Sequence, residues 1–349
     1  MSWRNGWGSR SSPILPQRNW HLYCWTGFVF LVCAVSGGCQ KQPGDDASKG
    51  TDGSPRRVTV LLNWFPEVEH GGFYAAEVHG YFAEEGLQVA IQPGGPGAPV
   101  IQQVAAGQCD FAVANADLVL LGRDQGAPVV AVMAAMQDSP HCIMVHESSG
   151  ISSLMQLRDL TLAVGSGKPF AQYLLHKLGD VPLDVVPYQG SVAMFLERPD
   201  CAQQAYVFSE PFVAKQKGGD PRCLMLSEIG FNPYSSVLVV QSDVAAREPE
   251  LVQKMVRACV RGWRTYLEDP VAVNQHIHRL NPEMDLDALA FGADAIKKLC
   301  LPNAMGPEQL GQMTAQRWEQ LAQQLREIGL LERSDPWQAA FDCQFLPSP

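Results

Sequence analysis

The chain has 349 residues, of which 46% are hydrophobic and 18% charged, and its formal net charge is −10. This acidic balance, without any run or patch of basic residues, argues against nucleic acid as a partner. It favours solubility but does not indicate a ligand. The part that follows the amino-terminal segment, about 290 residues, is long enough for two domains of ordinary size.

Residues 1–38 have the features of a secretion signal. Three arginines and no acidic residue accompany an apolar run from Leu22 to Val35, which ends in Ser36-Gly37-Gly38-Cys39. This is a basic region, an apolar core and a small-residue cleavage site. A cysteine directly after the small residues is typical of a bacterial lipoprotein, so we expect lipidation of Cys39 and anchoring at the periplasmic side of a membrane of the cell envelope. The alternative is an uncleaved anchor, but the run is shorter than the ~20 apolar residues of a membrane span.

Residues 39–57 are predicted to be a flexible tether between the lipid and the folded domain. After the cysteine they read QKQPGDDASKGTDGSPRR, without a large apolar residue. Such a composition cannot bury enough apolar surface to order the segment.

Strands and helices alternate from Val58 onward. Strands are predicted at Val58–Leu62, Leu87–Ile91, Phe111–Ala114, Val129–Met136, Leu160–Val164, Val185–Tyr188, Ala205–Phe208, Leu224–Leu226 and Val237–Val240. Helices are predicted at Phe73–Glu85, Pro99–Ala106, Leu118–Gln125, Phe170–Leu178, Val192–Arg198, Glu250–Leu267, Val271–Arg279, Leu286–Cys300 and Glu308–Ile328. This alternation indicates a mainly parallel sheet arrangement flanked by helices.

Asn63 and Trp64 lie directly after the first predicted strand. Open α/β sheets bind ligands at the carboxyl ends of their strands. An asparagine offers a donor and an acceptor side by side, and a tryptophan offers a flat face for stacking. The pair suits a flat heteroaromatic ligand with polar edges; alternatively, Trp64 is part of the core and Asn63 caps a turn.

The chain resembles the substrate-binding proteins of ABC importers that are related to the eukaryotic thiamine-pyrimidine synthase. That group also holds binders of sulfonate, nitrate and riboflavin precursors. The most specific similarities are the NW(x)P pattern with a nearby histidine, and GYFxEEGL. They continue through VAAGQCDFAVANAD, SEP at Ser209–Pro211 and NPYSSVLVV at Asn232–Val240, and cover roughly Val58 to Leu330.

The resemblance implies an α/β chain with the two-lobed periplasmic-binding-protein type II fold, in which two crossing strands form the hinge. We expect residues 58–146 and 235–349 to form lobe one, with the carboxyl-terminal helices. Residues 147–234 are then an inserted lobe two, and the ligand cleft lies between the lobes.

Several polar and aromatic residues are expected to face this cleft from strand ends and hinge loops. The candidates for ligand binding are Asn63, Trp64, His70, Tyr74, Asn115, Ser166, Tyr188, Glu210 and Tyr234, with Asp117, Lys168, Gln189 and Ser235 nearby. His70 could instead hydrogen-bond to the backbone of a turn, and Tyr188 and Tyr234 could simply pack.

Glu210 and the loop Gly165–Pro169 are the most informative of these positions. A carboxylate at a strand end can accept two hydrogen bonds from an aminopyrimidine edge. Glu210 matches the SEP or NEP loop of the pyrimidine binders. The alternative is that Glu210 is a surface residue that caps the next helix. The GSGKP loop could present backbone N–H groups to an anion, or it is a plain strand-to-helix turn.

The eukaryotic relatives are enzymes that hold pyridoxal phosphate on a lysine and consume a histidine four residues later. The resemblance aligns those positions with Ala114 and Leu118, which can supply neither an amine nor an imidazole. The cysteine cluster of the enzyme is replaced by GFNPYSS. We therefore expect a binder without catalytic residues, cofactor or metal.

The leading expectation is a monomeric solute receptor that delivers a thiamine-precursor pyrimidine, hydroxymethyl- or formylaminopyrimidine, to an ABC permease and its ATPase. The alternatives are a sulfonate, nitrate or riboflavin-type binder on the same fold, or a pyrimidine synthase-like enzyme. Binders of anions do not need a carboxylate in the cleft, so Glu210 discriminates between these ligands.

Seven cysteines follow Cys39, without a CxxC motif or a cluster at zinc spacing. Cys201 with Cys223 and Cys300 with Cys343 are plausible disulfide pairs in an oxidising compartment. Single buried thiols are the alternative.

Overall fold

The computed structural model describes residues 54–303, 305–332 and 337–347. The predicted signal peptide, Cys39 and the tether up to residue 53 lie outside this part of the chain. The tether is predicted to extend to Arg57, but strand pairing already begins at Arg56, which lies opposite Leu87.

The first sheet has five strands in the order β2-β1-β3-β10-β4, in which β10 is antiparallel to both of its neighbours. Its strands are β1 (Arg56–Leu61), β2 (Leu87–Gln92), β3 (Phe111–Ala114), β4 (Val129–Met136) and β10 (Ser235–Gln241). The sequences of β3 and β4 are continuous apolar runs, and all their residues are buried. Such runs are typical of strands that helices cover on both faces.

The second sheet repeats this arrangement in the order β7-β6-β8-β5-β9, with β5 antiparallel to β8 and β9. Its strands are β5 (His141–His146), β6 (Leu160–Ala163), β7 (Leu183–Val186), β8 (Cys201–Tyr206) and β9 (Pro221–Met225). The lobe built on the first sheet is lobe one, and the lobe built on the second sheet is lobe two.

The helices surround the two sheets. They are α1 (Gly71–Val78), α2 (Tyr81–Glu84), α3 (Val100–Ala105), α4 (Ala116–Asp124), α5 (Pro169–Leu178), α6 (Ala193–Glu197), α7 (Glu210–Gln216), α8 (Ser242–Arg247), α9 (Pro249–Glu268), α10 (Val271–Leu280), α11 (Leu286–Cys300) and α12 (Ala315–Glu327). Among the described residues, no helix combines the length and the apolar character that crossing a membrane requires.

The chain passes between the sheets twice, after β4 and before β10. The two crossing segments are joined to each other. The Ser139 N–H donates to Asn232 Oδ1 over 2.7 Å, and Asn232 Nδ2 donates to Asp138 Oδ1 over 2.8 Å. One asparagine thus couples the two crossing segments, where the resemblance leads us to expect a hinge.

Strand β5 belongs to the second sheet, whereas the predicted boundary at residue 146 places it in lobe one. His141 pairs with Tyr206 of β8, and Cys142 pairs with Met225 of β9. The boundary was wrong because an apolar extended segment does not reveal its partner strands; only the hydrogen-bonded register assigns β5 to a sheet.

Close packing of α1 against α9 fixes the loop that precedes α1. A Cβ on Gly72 would lie 2.1 Å from the Trp263 ring, and a Cβ on Gly262 would lie 2.2 Å from the carbonyl oxygen of Gly72. Only glycine permits the two helices to approach this closely. His70, the residue before α1, is therefore held at a defined depth in lobe one.

All seven cysteines of the described chain are free. The predicted pair Cys201–Cys223 does not form because β5 separates the strands that carry them. Cys300 is buried in the core around α9, whereas the Cys343 thiol donates to the carbonyl of Met313 at the other core. Neither proposed disulfide exists in this structure.

Candidate functional site

The candidate site lies where strand ends of the two lobes face each other. β1 and β3 are parallel neighbours in lobe one, and β6 and β8 are parallel neighbours in lobe two. Their carboxyl ends therefore bring two loops together in each lobe. The lobes touch beside this point, since the ring centroids of Phe212 on α7 and Phe291 on α11 lie 5.1 Å apart.

In lobe one, Asn63 organises the loop between β1 and α1. Its Nδ2 donates to Glu69 Oε1, and its Oδ1 lies 2.9 Å from His70 Nε2. Ser236 donates from Oγ to the Glu69 carbonyl over 2.7 Å, from a left-handed backbone position with φ of 47°. Asn63 and His70 thus lie together in the loop after β1, and both polar ends of the Asn63 amide are already used within that loop.

Glu67 lies in the same loop and differs from its neighbours. It is 6% exposed, and its side chain does not cap the turn at Val68–His70 that it precedes. No described residue donates a hydrogen bond to its carboxylate. Burial raises the pKa of Glu67 well above its ordinary value, and the negative charges of Glu69 and Glu210 raise it further.

In lobe two, Glu210 has two donors. The Tyr188 hydroxyl donates to Oε1 and the Tyr206 backbone N–H donates to Oε2, both over 2.8 Å. Burial raises the pKa of Glu210, and these hydrogen bonds oppose the rise because they favour the ionised form. The negative charge of Glu210 also acts on Glu67 across the two lobes.

Asn115 and Asp117 extend the site along lobe one. Burial raises the pKa of the Tyr206 hydroxyl in lobe two, and the nearby Asn115 side chain opposes that rise. Asp117 is 4% exposed and accepts the Leu118 N–H over 2.9 Å. Burial raises the pKa of Asp117 to about 6, and the charge of Lys168 opposes that rise.

The loop Gly165–Lys168 faces lobe one from the other side of the site. Gly165 donates its N–H to Gln204 Oε1 over 2.7 Å, and Ser166 is exposed. The charge of Lys168 reaches Asp117 and also His141, whose pKa is lowered to about 3, first by burial and then by Lys168. The loop therefore brings one cation into a predominantly acidic site.

Trp64 and Phe65 form an exposed aromatic pair beside Asn63. Their rings meet edge to face at 5.5 Å, and they are 38% and 46% exposed. The turn Pro93–Gly97 supports them, because Gly94 donates its N–H to the Trp64 carbonyl over 3.0 Å. Exposed large aromatic side chains offer a ligand a stacking face, and Glu67 follows this pair in the same loop.

Tyr74 and Tyr234 are used in packing. Tyr74 is 2% exposed within the core of lobe one, with its ring 5.7 Å from His276. Tyr234 is also 2% exposed, lies under the Arg317 guanidinium at 3.9 Å, and accepts the Thr314 N–H over 3.0 Å. The structure gives neither ring a place at the facing strand ends, because each is enclosed by helices of the surrounding core.

Four residues at the site were missed by the sequence reasoning: Glu67, Glu69, Tyr206 and His141. The signal for the first two was the acidic stretch PEVEH in the loop between the first strand and the first helix, where charged residues are usually read as solvated. No sequence signal marked Tyr206 or His141, since their roles depend on the strand pairing of lobe two. The described residues contain no group of histidine, cysteine and carboxylate side chains that could hold a metal.

The chain is similar to several known proteins. A family model described as NMT1/THI5 like matches residues 67–273. The riboflavin-binding protein RibY of Chloroflexus aurantiacus is 27% identical, and the alignment covers 84% of this chain and 86% of RibY. The formylaminopyrimidine-binding protein of Halalkalibacterium halodurans is 26% identical, with 87% and 94% covered.

An enzyme is also among the relatives. A 4-amino-5-hydroxymethyl-2-methylpyrimidine phosphate synthase of Saccharomyces cerevisiae is 24% identical over 67% of this chain and 74% of the enzyme. Family membership alone therefore does not separate binders from catalysts.

Among solved structures, the periplasmic aliphatic sulphonate-binding protein SsuA of Escherichia coli has a TM-score of 0.65 to this chain. The two are 13% identical, and the superposition covers 85% of this chain and 95% of SsuA. This similarity confirms the predicted α/β fold of periplasmic binding proteins.

Proposed function

This chain belongs to the NMT1/THI5-like family, and on that premise we propose that it is an extracytoplasmic solute-binding lipoprotein of an ABC importer. The proposed ligand is a thiamine-precursor pyrimidine, hydroxymethyl- or formylaminopyrimidine. The proposed partners are the permease and ATPase of that importer, and the receptor acts as a monomer.

The observation that carries this proposal is the pairing of carboxylates from opposite lobes beside exposed aromatic rings. The pKa of Glu67 in lobe one is raised chiefly by burial, and the negative charges of Glu69 and of Glu210 in lobe two add to the rise. An aminopyrimidine has a flat face and edges that carry N–H donors. Trp64 can stack on the face, and the carboxylates can accept from the edges.

The surroundings of Ala114 and Leu118 favour a binder over an enzyme. Ala114 is fully buried at the end of β3, so the position that resembles the lysine of the enzymes presents no amine. Lys168 belongs to lobe two and comes after a different strand. The two relatives named as binding proteins also align with more of this chain than the synthase does.

The charge of the site disfavours a sulfonate or nitrate ligand. Glu67, Glu69, Glu210 and Asp117 lie there with Lys168 as the cation whose charge reaches the site. An anion would have to enter against several carboxylates in a poorly solvated place, where electrostatic interactions are strong.

A flavin is the second candidate ligand. The similarity to RibY motivates it, and the exposed pair Trp64 and Phe65 offers a large aromatic surface. A flavin carries its own visible absorbance, so co-purification would reveal it directly.

The test is mass spectrometry of the small molecules that leave the purified full-length protein on denaturation, followed by calorimetry with hydroxymethylpyrimidine, formylaminopyrimidine, riboflavin and taurine. We expect a pyrimidine to bind with a dissociation constant of about 1 μM or lower, roughly −8 kcal/mol. Binding of taurine or nitrate instead would refute the pyrimidine assignment and leave a solute receptor for anions.

The anchor is tested separately. We expect Cys39→Ser to release the protein from the membrane fraction or to leave it unprocessed, and Cys109→Ser, at a buried thiol of the folded domain, serves as the matched control. An unmodified Cys39 in wild-type protein that is free of membranes would contradict the lipid anchor.

Hinge closure is the expected response to the ligand, because the two crossings joined by Asn232 are the covalent links between the sheets. Small-angle scattering should give a smaller radius of gyration with saturating pyrimidine than without it. An unchanged radius with a ligand whose binding calorimetry has established would count against closure.

A further inference from the structure

Among Glu67, Glu69, Glu210 and Asp117, Glu67 is the carboxylate to which no described residue donates a hydrogen bond. Glu69 accepts from Asn63 and lies 3.3 Å from His70 Nε2. Glu210 accepts from Tyr188 and Tyr206. Glu67 is more than nine-tenths buried, and no described residue donates to it. The Glu67 carboxyl oxygens are not among the fully enclosed, unpartnered polar atoms of the described residues. A donor that enters from solvent can therefore reach them, and such a donor offsets the cost of burying the carboxylate.

The surroundings of Glu67 define what that partner must bring. The titratable and charged groups that face it from its own loop, from α7 and α9, and from β8 and the loop after β7 are Glu69, His70, Glu210, Tyr266, Tyr206 and Tyr188. Two of them are carboxylates, and Lys168 acts on Asp117 and His141 instead. None of the six is a lysine or an arginine, and none of them donates a hydrogen bond to Glu67.

We propose that Glu67 selects the ligand and that this ligand is a basic nitrogen heterocycle. In the complex, one proton lies between a ring nitrogen of the ligand and the Glu67 carboxylate. This inference rests on the proposed binding of an aminopyrimidine. In the bound pair the ring nitrogen carries the proton and donates it to the ionised carboxylate, while an exocyclic amine donates a further hydrogen bond. Paired N–H donors on a carboxylate are among the strongest hydrogen bonds in proteins.

Proton balance gives this proposal a measurable consequence. The bound pair holds one proton. At alkaline pH the free receptor has lost its proton from Glu67 and the free heterocycle is neutral, so binding must take up one proton from solvent. The affinity then falls by up to about tenfold for each pH unit. A ligand whose complex with the receptor does not hold this proton shows no such dependence.

The decisive experiment is calorimetry of the full chain with hydroxymethylpyrimidine between about pH 6 and pH 9, in pairs of buffers that differ in ionisation enthalpy so that proton uptake is counted. Uracil is the flat comparison ligand without a basic ring nitrogen. Glu67→Gln keeps the shape of the side chain but cannot hold the proton, and Glu250→Gln changes an exposed carboxylate that pairs with Lys254 on α9.

We expect the wild type and Glu250→Gln to take up close to one proton at the alkaline end and to lose affinity there. Glu67→Gln should bind at least tenfold more weakly near neutral pH, and its alkaline dependence should vanish. Equal pyrimidine affinity and equal proton uptake in Glu67→Gln would overturn the role of Glu67 while leaving the proposed function intact. Tighter binding of uracil than of hydroxymethylpyrimidine would overturn the selection of a basic ring, and no pyrimidine binding at all would overturn both proposals.

Discussion

The two lobes bring carboxylates to the same site in different states. In lobe two, Glu210 is bonded to the Tyr188 hydroxyl and to the Tyr206 N–H, so both oxygens have donors. In lobe one, Asn63, Glu69 and His70 bond to one another, and Glu67 is left buried without a donor. In lobe two, the neighbouring residues donate hydrogen bonds to both oxygens of Glu210, and we call this the complete edge of the site. In lobe one, Glu67 has no donor, and we call this the incomplete edge.

This difference distinguishes a carboxylate that stabilises the fold from one that is available to bind a ligand. Burial of a charged acceptor is tolerated when hydrogen bonds compensate for the lost water. Glu210 meets that condition, so its main role is to stabilise the loop after β8. Glu67 does not meet it, so a ligand that donates a hydrogen bond to Glu67 lowers the free energy of the complex. Sequence resemblance marks Glu210, but the hydrogen bonds of the site assign the unmet acceptor to Glu67.

The largest expected effect on stability comes from removing the Glu210 carboxylate in lobe two. Glu210→Ala removes the acceptor of two donors at once, and each buried donor left unpaired costs about 1–3 kcal/mol. We expect the ligand-free protein to lose about 3 kcal/mol of unfolding free energy in urea denaturation, and Glu67→Ala to lose much less. Equal losses in the two variants would show that the carboxylates have the same structural role.

The second effect concerns the ligand rather than the fold. Trp64→Ala removes an exposed stacking face, and pyrimidine affinity should fall by about 1–3 kcal/mol in calorimetry. The melting temperature should stay near that of the wild type, because the side chain is 38% exposed. Met155→Ala, at another exposed apolar residue, is the control and should leave affinity unchanged. Unchanged affinity in Trp64→Ala would exclude stacking on this ring.

The third effect tests the unmet acceptor without any ligand. The pKa of Glu67 is raised in the folded protein, chiefly by burial. A carboxyl of this kind adds no penalty while it is protonated in both states, and it destabilises the fold increasingly as pH rises above its unfolded value. Each unit of the shift corresponds to about 1.4 kcal/mol. Glu67→Gln should therefore be more stable than the wild type at about pH 8, by at least about 1 kcal/mol.

The pH dependence of that difference is the sharper measurement. The stability gap between Glu67→Gln and the wild type should shrink as pH falls toward the ordinary range of glutamate, about 4.3. Thermal unfolding in a series of buffers records it. A gap that does not change with pH would mean that Glu67 is ionised at no extra cost.

The sequence could predict the elements of the fold but not all their partners. Continuous apolar runs such as Val129–Met136 are sufficient to identify buried strands, and β4 has the predicted bounds. β5 was assigned to the wrong lobe, because an apolar pattern carries no information about register. The resemblance supplied the two-lobed architecture that alternation alone leaves open.

Within the site, the sequence predicted where residues lie along the fold better than it predicted what their side chains do. Asn63, Trp64, Asn115 and Glu210 lie at strand ends, as their spacing indicates. Tyr234 lies next to the hinge in the chain, but its ring points into the core beneath Arg317, a direction that no spacing rule specifies. Glu67 was missed because its isolation is a property of its neighbours' hydrogen bonds, which only the folded structure reveals.

The smallest expected effect probes one hydrogen bond of the complete edge. Tyr188→Phe removes the hydroxyl that donates to Glu210 over 2.8 Å and keeps the ring. A single hydrogen bond of this kind contributes about 0.5–1.5 kcal/mol, and bonds to charged groups lie at the upper end. The loss should be larger at neutral pH than at acid pH, because the bond stabilises the ionised carboxylate. Urea denaturation of Tyr188→Phe, Glu210→Gln and the double variant forms a cycle that isolates the pair. If the single losses simply add, Tyr188 and Glu210 act independently, and the edge of lobe two is no more complete than that of lobe one.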